Sequence, residues 1–392
     1  MGTVNRPSPS AYVEPYAREL LALRRDLHSH PELSRREHRT TEILARRLRE
    51  AGLAPQPLDT TGVICDVGRA GPLVALRADL DALPLPDETG LPYGSTVAGV
   101  SHACGHDVHT AALLGAGLML ADMDRAGLLR GRIRLIFQPA EESMPGGALD
   151  VIAAGGLDGV ERAFALHCDP HTDVGRVGSR VGAITAAADH ITVRLSGRGG
   201  HTSRPHLTED VVFALGQIVT GVPAVLSRRL DPRAGAAMVW GRVAAGSAPN
   251  AIPRQGELSG TFRCLDAAVW AHAGSLVTEA VQEVVRPYGV QAEVEHVRGV
   301  PPTVNDADAV ELAEAAIRDE LGEHSVELSP QSLGGEDFAW ILEKVAGAMV
   351  RLGTRTPGGH DYDLHRPDLV IDERAVVLGA RVLAAIGLRA LR

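Results

Sequence analysis

The sequence predicts an α/β fold in which a mostly parallel sheet is covered by helices and a second, α+β domain is inserted. Short apolar runs suited to buried strands occur at 73–77, 133–137 and 162–166, and helical patterns follow them. Such strand–helix repetition builds a parallel sheet with helices on both faces. Between 188 and 297 the pattern changes to β-α-β-β-α-β, which is the order of a ferredoxin-like domain.

Strand and helix patterns resume after residue 300, so the ferredoxin-like block interrupts the first domain. We expect a main domain formed by residues 1–185 and 300–392, and an inserted domain formed by residues 186–299. Residues 1–14 are expected to be disordered, and His28 and His30 are expected to be solvated or helix-capping residues rather than ligands. The predicted helices are two between 15 and 50, then 110–121, 208–220, 267–286, 306–320 and one from 373.

Composition and charge exclude several classes of protein. The net charge of −10 gives no reason to expect a nucleic-acid partner. No apolar run is long enough to span a membrane, and the first twenty residues lack the continuous apolar core of a secretory signal. We therefore expect a cytoplasmic protein. Its four cysteines have no paired spacing, which favours reduced thiols, one of them a metal ligand.

The stretch from Ser101 to His109 is rich in side chains that bind metal ions. It contains three His, one Cys and one Asp. Cys104 and His106 flank Gly105, and this spacing in an extended segment or tight turn puts both side chains on one side of the backbone. A lone Cys-x-His would more simply be a buried Cys beside helix-capping residues. The density of ligand types makes a metal site the better interpretation.

Further acidic and imidazole groups follow the predicted strands. Asp79 and Asp81 follow the first run, where two acidic turn residues are the competing interpretation. The other groups at strand ends or in late loops are Glu141, Glu142, His167 and His365. With Cys104 and His106, this set could hold two metal ions about 3.5–4 Å apart. Thiolate and imidazole favour zinc, whereas imidazole with carboxylate also admits manganese, cobalt or nickel.

The adjacent Glu141 and Glu142 suggest a division of labour. Neighbouring side chains diverge, so one carboxylate can bind metal while the other faces the substrate as general base. Taken alone, the pair could equally be a solvated acidic turn. Its place beside the other ligand-bearing strand ends favours the catalytic interpretation.

Four ordered motifs give the chain a specific resemblance that covers nearly its whole length. It resembles the dinuclear metallo-aminoacylase and carboxypeptidase family, especially the amidohydrolase branch that includes hippurate hydrolase and the plant indole-acetyl-amino-acid hydrolases. The motifs are Arg-Ala-Asp-Leu-Asp-Ala-Leu-Pro at 77–84, His-Ala-Cys-Gly-His-Asp at 102–107, Gln-Pro-Ala-Glu-Glu at 138–142 and Leu-His-Arg-Pro at 364–367.

The resemblance implies a metallopeptidase-like catalytic domain, an inserted lid and dimerisation domain, and two divalent metal ions per subunit. The family's peptidases have a ligand His where this chain has Asp79, so the metal stoichiometry need not follow theirs. At the next motif position, Asp81 is implied to orient the site from behind the ligands. Glu141 is implied to be the general base, and the implied metal ligands are Cys104, His106, Glu142, His167 and His365.

In the inserted domain, the resemblance assigns three further residues. His201, in Gly-Gly-His-Thr-Ser, would stabilise the oxyanion in the partner subunit's site, while Asn250 and Arg263 would hold the substrate's carboxylate. By themselves they could be a surface His, a turn Asn and a strand-ending Arg. Four more histidines are near-site candidates without a role, namely His102, His109, His206 and His360.

The resemblance therefore implies metal-dependent hydrolysis of N-acyl amino acids by a homodimer or higher homo-oligomer, with zinc or manganese as the leading metals. A dipeptidase or carboxypeptidase with the same site is one alternative. A non-catalytic metal-bearing scaffold or binding protein is the alternative from another class. The presence of Glu141 argues against it, because an inactive relative could keep the ligands and lose the base.

Overall fold

The structure is a computed structural model that describes residues 8–392. Clustering of neighbouring residues divides it into two compact units. The first contains the described residues up to Ile184, Val304–Pro330 and Asp337–Arg392, and the second contains Thr185–Thr303 and Gln331–Glu336. The predicted boundaries assign residues 331–336 to the main domain. The structure joins it to the second unit, where the Ala186 N–H donates to the Gly334 carbonyl at 3.1 Å.

Residues 8–392 form sixteen β-strands and nine α-helices. The strands are β1 (Gln56–Pro57), β2 (Val63–Val67), β3 (Leu73–Asp79), β4 (Arg132–Gln138), β5 (Arg162–Asp173), β6 (Val177–Ser179), β7 (Gly182–Thr185), β8 (Ala187–Ser196), β9 (Gly200–His201), β10 (Ala237–Ala245), β11 (Ala251–Ile252), β12 (Gln255–Cys264), β13 (Gln291–Val300), β14 (Thr303–Asn305), β15 (Val326–Leu328) and β16 (Ala346–Arg355). The α-helices are α1 (Ser10–Ser29), α2 (His38–Glu50), α3 (His106–Arg125), α4 (Ala148–Ala153), α5 (Val211–Arg229), α6 (Ala267–Val285), α7 (Ala307–Leu321), α8 (Phe338–Leu342) and α9 (Arg374–Ala390).

The first unit is built on an eight-stranded sheet with the order β1-β2-β4-β3-β5-β16-β6-β15. Its central neighbours β4-β3-β5-β16 are all parallel, whereas β1-β2, β2-β4 and β16-β6 are antiparallel. Every residue of β3 is buried, as expected of a strand covered on both faces. The predicted mostly parallel sheet is confirmed.

Alternate residues of β3 enter two different hydrophobic clusters, one on each face of the sheet. Val74 and Leu76 pack into the larger cluster with helices α1, α3 and α9. Leu73 and Ala75 face the smaller cluster, to which α4 and α8 contribute. Helix α3 is buried over nearly its whole length, because it lies between the sheet and the two flanking helices.

The carboxyl ends of β4, β3 and β5 meet at one edge of this sheet. Asp79, the last residue of β3, is in register with Gln138, the last residue of β4. On the other side of β3, Arg77 is in register with Ala165 of β5, two residues before His167. The parallel register therefore brings the polar strand ends together, which is where α/β sheets place their chemistry.

The second unit contains the four-stranded antiparallel sheet β10-β12-β8-β13 with helices α5 and α6 packed on it. Its chain order is β8-α5-β10-β12-α6-β13, the predicted ferredoxin-like order. Helix α5 begins three residues later than predicted, because the Asp210 side chain caps it by accepting a hydrogen bond from the Phe213 N–H. Helix α6 starts in the same way after Asp266.

The expectation that no apolar run is long enough to span a membrane is wrong by length and composition alone, because among the described residues helix α5 meets both criteria. Its buried residues, which include Ala214, Leu215 and Ile218, form one face, and the helix packs on α6, β10 and β12. That packing is the pattern of an amphipathic helix on a sheet.

Two expectations about the amino-terminal part are wrong. Helix α1 begins at Ser10, so residues 10–14 are helical; residues 1–7 lie outside the described part of the chain. His28, expected to be solvated or capping, is buried at the end of α1. Its Nδ1 lies 2.8 Å from Oδ2 of Asp107, a residue of α3.

Candidate metal centre

The turn before α3 places Cys104 and His106 at the edge where the parallel strands end. Gly105 has a left-handed φ of 84°. A Cβ atom there would lie 2.8 Å from Sγ of Cys168 and 2.9 Å from Cδ1 of Ile371. Both the dihedral angle and the space require glycine, so the turn is specified by the sequence.

Cys104, His106 and His167 form one group of buried metal-binding atoms that lie within 4.8 Å of one another. The Cys104 Sγ atom is 3.5 Å from Nε2 of His167. Nδ1 of His167 is 2.8 Å from the Cys168 carbonyl, to which it must donate. The imidazole therefore presents the lone pair of Nε2 towards the thiol, as a metal ligand does.

Cys104, Glu142 and His365 form a second group with the same spread of donor atoms. Nε2 of His365 lies 3.2 Å from Oε1 of Glu142. His365 has a left-handed φ of 61°, and its N–H donates to the Ala103 carbonyl at 2.7 Å. The late loop is thereby tied to the residue that precedes Cys104, and the two donor groups have Cys104 in common.

Asp81 holds the segment that carries the adjacent glutamates. Its carboxylate accepts hydrogen bonds from the N–H groups of Glu141 at 3.1 Å and Glu142 at 3.0 Å. It also accepts the Ser34 hydroxyl at 2.6 Å and lies 3.3 Å from Nδ1 of His106. One buried carboxylate therefore positions both glutamates and one imidazole.

A second buried carboxylate supports the same turn. Ala140 has a left-handed φ of 54°, which is unfavourable for a residue with a Cβ atom. Oε1 of Glu37 accepts the Ala140 N–H at 2.8 Å, and Oε2 accepts the Thr61 hydroxyl at 2.6 Å. These hydrogen bonds stabilise the bend that turns Glu141 and Glu142 out of strand β4.

The electrostatics of the site show a deficit of positive charge. Burial disfavours the charged imidazolium of His106, but Asp79, Asp81 and Glu142 raise the pKa of His106 to about 10. Burial, with the nearby glutamates, raises the pKa of the Cys104 thiol well above its usual value. Burial lowers the pKa of His167 well below its usual value, so that ring is neutral. A cation among these groups would replace the protons on His106 and Cys104.

The deficit of positive charge and two unsatisfied buried atoms both indicate that these residues fit a divalent metal ion. Within residues 8–392, Nε2 of His106 and Oε1 of Glu142 are buried without a hydrogen-bond partner, and they lie 3.9 Å apart. Buried polar atoms are rarely left unsatisfied, so a pair of them between acidic groups indicates a bound partner. Thiol, imidazole and carboxylate are the ligands that zinc and related ions take in proteins.

Of the predicted residues of the second unit, His201 and Asn250 are exposed and Arg263 is half-buried. His201 lies on β9 and pairs in register with Ala251 of β11, next to Asn250. The Asn250 carbonyl accepts the Thr202 N–H at 3.2 Å, so His201 and Asn250 are held together at one short antiparallel strand pair. Nδ1 of His201 accepts the Ser203 N–H at 3.1 Å, which leaves Nε2 as the outward donor of the neutral ring.

Arg263 lies near the end of β12, and its Nη1 donates to the Leu333 carbonyl at 2.5 Å.

The remaining near-site histidines differ in their surroundings. His102 and His109 are buried, while His206 and His360 are exposed. Both nitrogens of His109 are occupied by protein groups, which leaves it no lone pair for a metal ion.

Sequence reasoning missed a buried polar network around Arg77. The guanidinium contacts Asp79 and Gln138, which are near it in the motifs, and Asp337, which is far away in sequence. The alternation of Arg77 and Asp79 on one strand face was an available signal. The contribution of Asp337 had none, because only the folded chain brings it there.

This chain is similar to known proteins over most of its length. The sequence profile of peptidase family M20/M25/M40 matches residues 75–389. An N-acetyl-L-cysteine deacetylase of Bacillus subtilis is 36% identical over 96% of this chain and 89% of its own. A Rhodococcus jostii protein whose name proposes glutamate–cysteine ligase activity is 50% identical over 94% of this chain, which spans about half, 46%, of that relative.

A solved structure gives the same result. A dinuclear metal-binding peptidase of family M20 from Bacillus subtilis superposes with a TM-score of 0.85 at 34% identity, and the match covers 96% of this chain and 99% of that one. That peptidase has the fold expected from the motifs, and its name describes it as binding two metal ions.

Proposed function

Because the chain belongs to peptidase family M20/M25/M40 and is a metal-dependent amidohydrolase of that family, we propose that it hydrolyses the amide bond of N-acyl amino acids. The products are a carboxylic acid and an amino acid. The observation that supports the proposal is a pair of donor groups that share Cys104, one with His106 and His167 and the other with Glu142 and His365. Family membership also sets aside the non-catalytic scaffold.

Two metal ions fit the two donor groups that share Cys104. Cys104, His106 and His167 would hold one ion, and Cys104, Glu142 and His365 would hold the other. We take zinc or manganese as the leading candidates, with cobalt or nickel next. When bound, such ions lower the pKa of water from about 15.7 to about 7 and polarise a carbonyl oxygen.

Glu141 is the proposed general base. It follows Ala140 in the turn that hydrogen bonds to Glu37 and Asp81 stabilise. The backbone that carries its side chain is therefore fixed, next to the proposed ligand Glu142. It would take the proton from the attacking water and then deliver it to the departing amine. Positioned proton transfer of this kind contributes roughly 10²–10⁴ in rate.

The substrate is proposed to be held by the second unit. His201 presents an outward N–H that suits a developing oxyanion, and Arg263 and Asn250 offer donors for the free carboxylate of the amino acid. We place His201 in the partner subunit's site. Support for a homodimer comes from the edge strand β10, whose exposed Val239 and Val243 could pair with a second copy.

Cysteine is the amino acid we would test first. Two Bacillus subtilis relatives, 36% and 38% identical, are named for the deacetylation of N-acetylcysteine. The Rhodococcus jostii relative is named for a reaction that uses cysteine. All three names mention cysteine. We also propose a cytoplasmic location, where a thiol ligand stays reduced.

A carboxypeptidase is the second candidate, because a relative from Saccharolobus solfataricus that is 35% identical over 94% of this chain is named thermostable carboxypeptidase 1. One assay separates the two functions. The zinc- and manganese-loaded enzymes would be given N-acetyl-L-cysteine, N-benzoylglycine and an unblocked dipeptide, with Glu141→Gln as the inactive control. Turnover of the N-acyl amino acids supports the proposal. Turnover of the dipeptide alone would replace it with peptidase activity.

A further inference from the structure

The geometry points to Asp79 and His109 as a positioning pair that fixes the metal-binding imidazole of His167, with Asp79 not itself a ligand. This inference rests on the proposed metal centre, and it is independent of the substrate. Asp79 stands at the motif position where the related peptidases have a ligand histidine.

Both oxygens of Asp79 are engaged by protein donors. Oδ2 accepts Nη1 of Arg77 at 2.7 Å, and Oδ1 accepts Nδ1 of His109 at 2.6 Å. All three side chains are at most 1% exposed. The charge-assisted hydrogen bonds orient the carboxylate, so Asp79 serves as an anchor between strand β3 and helix α3.

The second nitrogen of His109 determines the protonation of its ring. Nε2 lies 2.8 Å from the Cys168 N–H, a donor that cannot lose its proton, so Nε2 must be the acceptor. The proton of the neutral ring is therefore on Nδ1, which donates to Asp79. The carboxylate selects this tautomer, and the tautomer provides the acceptor for the backbone of β5.

The Cys168 backbone transmits this constraint to His167. Its N–H is held by His109, and its carbonyl accepts Nδ1 of His167 at 2.8 Å. The orientation of the His167 ring therefore depends on backbone held by the Asp79–His109 pair. Loss of the acceptor on His109 would leave a buried N–H unsatisfied and loosen the ring that faces Cys104.

The same network reaches the strand that carries the glutamates. Nε of Arg77 donates to Oε1 of Gln138 at 2.9 Å, and Gln138 is the last residue of β4. Nε2 of Gln138 donates to Asp337 at 2.7 Å, and Arg77 also donates to Asp337. Through Arg77 and His109, hydrogen bonds therefore connect Asp79 with β3, β4, β5 and α3.

The chain offers a matched control in the second unit. Asp189 is a buried carboxylate that accepts Nε2 of His296 at 2.7 Å and Nε1 of Trp270 at 2.9 Å. It resembles Asp79 in burial and in its imidazole partner, but its contacts are confined to the second unit. Asp189→Asn therefore reports the general effect of neutralising a buried carboxylate–imidazole pair.

The test measures cobalt(II) binding to the full-length apoprotein by competition with a chromogenic chelator, together with the absorption spectrum of the bound ion. Asp79→Asn turns an amide N–H₂ towards a donor, and His109→Leu removes the acceptor for Cys168. Each variant should bind the same number of cobalt ions as wild type, with one site weakened about 10–100-fold and its spectrum altered. Asp189→Asn should bind cobalt like wild type.

Unchanged affinity and spectrum in both site variants would overturn the inference. Loss of a bound ion in Asp79→Asn, with wild-type binding in His109→Leu, would instead make Asp79 a ligand. If Asp79→Asn does not fold, His109→Leu alone decides, because leucine suits a buried position. Failure to hydrolyse N-acyl amino acids would refute the proposed function and leave this binding test unaffected.

Discussion

The candidate residues of the two units differ in burial and in support. In the first unit, Cys104, His106 and His167 are at most 6% exposed, and the His167 ring is oriented by its hydrogen bond to the Cys168 carbonyl. In the second unit, His201 and Asn250 are exposed on a short strand pair. The comparison suggests that these three candidate metal donors are preorganised before substrate arrives, whereas the proposed substrate-contacting groups, and the candidate ligand His365, stay accessible.

The same contrast appears in the charges. The first site collects Asp79, Asp81, Glu141 and Glu142 around two imidazoles, and in the described part of the chain Nε2 of His106 and Oε1 of Glu142 have no hydrogen-bond partner. The second unit presents His201 and Arg263 as hydrogen-bond donors. Donors complement an anionic substrate, and acidic groups complement a metal. Variants in either unit test this difference.

The largest expected effect comes from removing the metal. Chelation should abolish hydrolysis, and Cys104→Ala should lower the bound metal, because this thiol belongs to both donor groups. Loss of several kcal/mol of transition-state stabilisation corresponds to about three or more powers of ten in rate. Elemental analysis and turnover measure both effects. The control is Cys65→Ala, a buried cysteine on β2. Full metal content in Cys104→Ala would remove it from the ligand set.

The next effect concerns His201 and the proposed dimer. His201→Ala should lower kcat by about 10²–10³, as expected for one oxyanion donor. The neighbouring exposed His206 gives the control, since His206→Ala should keep its activity. Mixed dimers of His201→Ala and Glu141→Gln should regain part of the activity through one intact site. A fully active monomer at the assay concentration is incompatible with this arrangement.

A smaller effect is expected for Arg263. Charge-assisted hydrogen bonds contribute roughly 1.5–3 kcal/mol, so replacing the substrate carboxylate by a carboxamide should cost about one to two powers of ten in kcat/KM per lost bond. Arg263→Ala should erase most of that preference. If Arg263 only anchors the Leu333 carbonyl, the variant would lose stability and keep its selectivity. Arg242→Ala, on the exposed neighbouring strand, is the control.

The smallest effect is a pH dependence of stability in the second unit. Burial opposes ionisation of Asp189, but hydrogen bonds from His296 and Trp270 and from the Gly299 N–H lower its pKa below the usual value. A depressed pKa contributes stability that is present above the unfolded-state pKa of about 3.9 and is lost as the pH falls through the folded-state value.

Asp189→Asn should therefore lower thermal stability by about 1–3 kcal/mol at neutral pH. The difference from wild type should stay level from pH 7 to about pH 5 and shrink below about pH 4. Thermal unfolding at several pH values measures it. A difference that grows on acidification would have the wrong sign for this carboxylate.

Local patterns were sufficient to predict the sheet, the inserted domain and the clustering of strand ends. Buried runs such as Leu73–Asp79 and the β-α-β-β-α-β order depend on neighbours along the chain. The motif at 102–107, with Gly105 between Cys104 and His106, likewise pointed to the donor site. These features could be predicted because each is specified within a few residues.

Long-range partners could not be predicted. Asp337 reaches Arg77 across 260 residues, and Glu37 reaches the Ala140 N–H across 103 residues. The burial of His28 follows from helix α1 packing on α3, which no local pattern near His28 shows. Packing between distant segments therefore decided the supports of the site, whereas local sequence indicated the candidate ligands themselves.

The adjacent glutamates provide the most direct test of the central proposal, that one carboxylate binds metal while its neighbour moves the proton. The measurement is the bound metal and kcat of Glu141→Gln and Glu142→Gln side by side. Glu141→Gln should keep its metal and substrate binding and lose about 10²–10⁴ in kcat, and Glu142→Gln should lose metal together with activity. Full metal in Glu142→Gln with metal loss in Glu141→Gln would contradict the assignment.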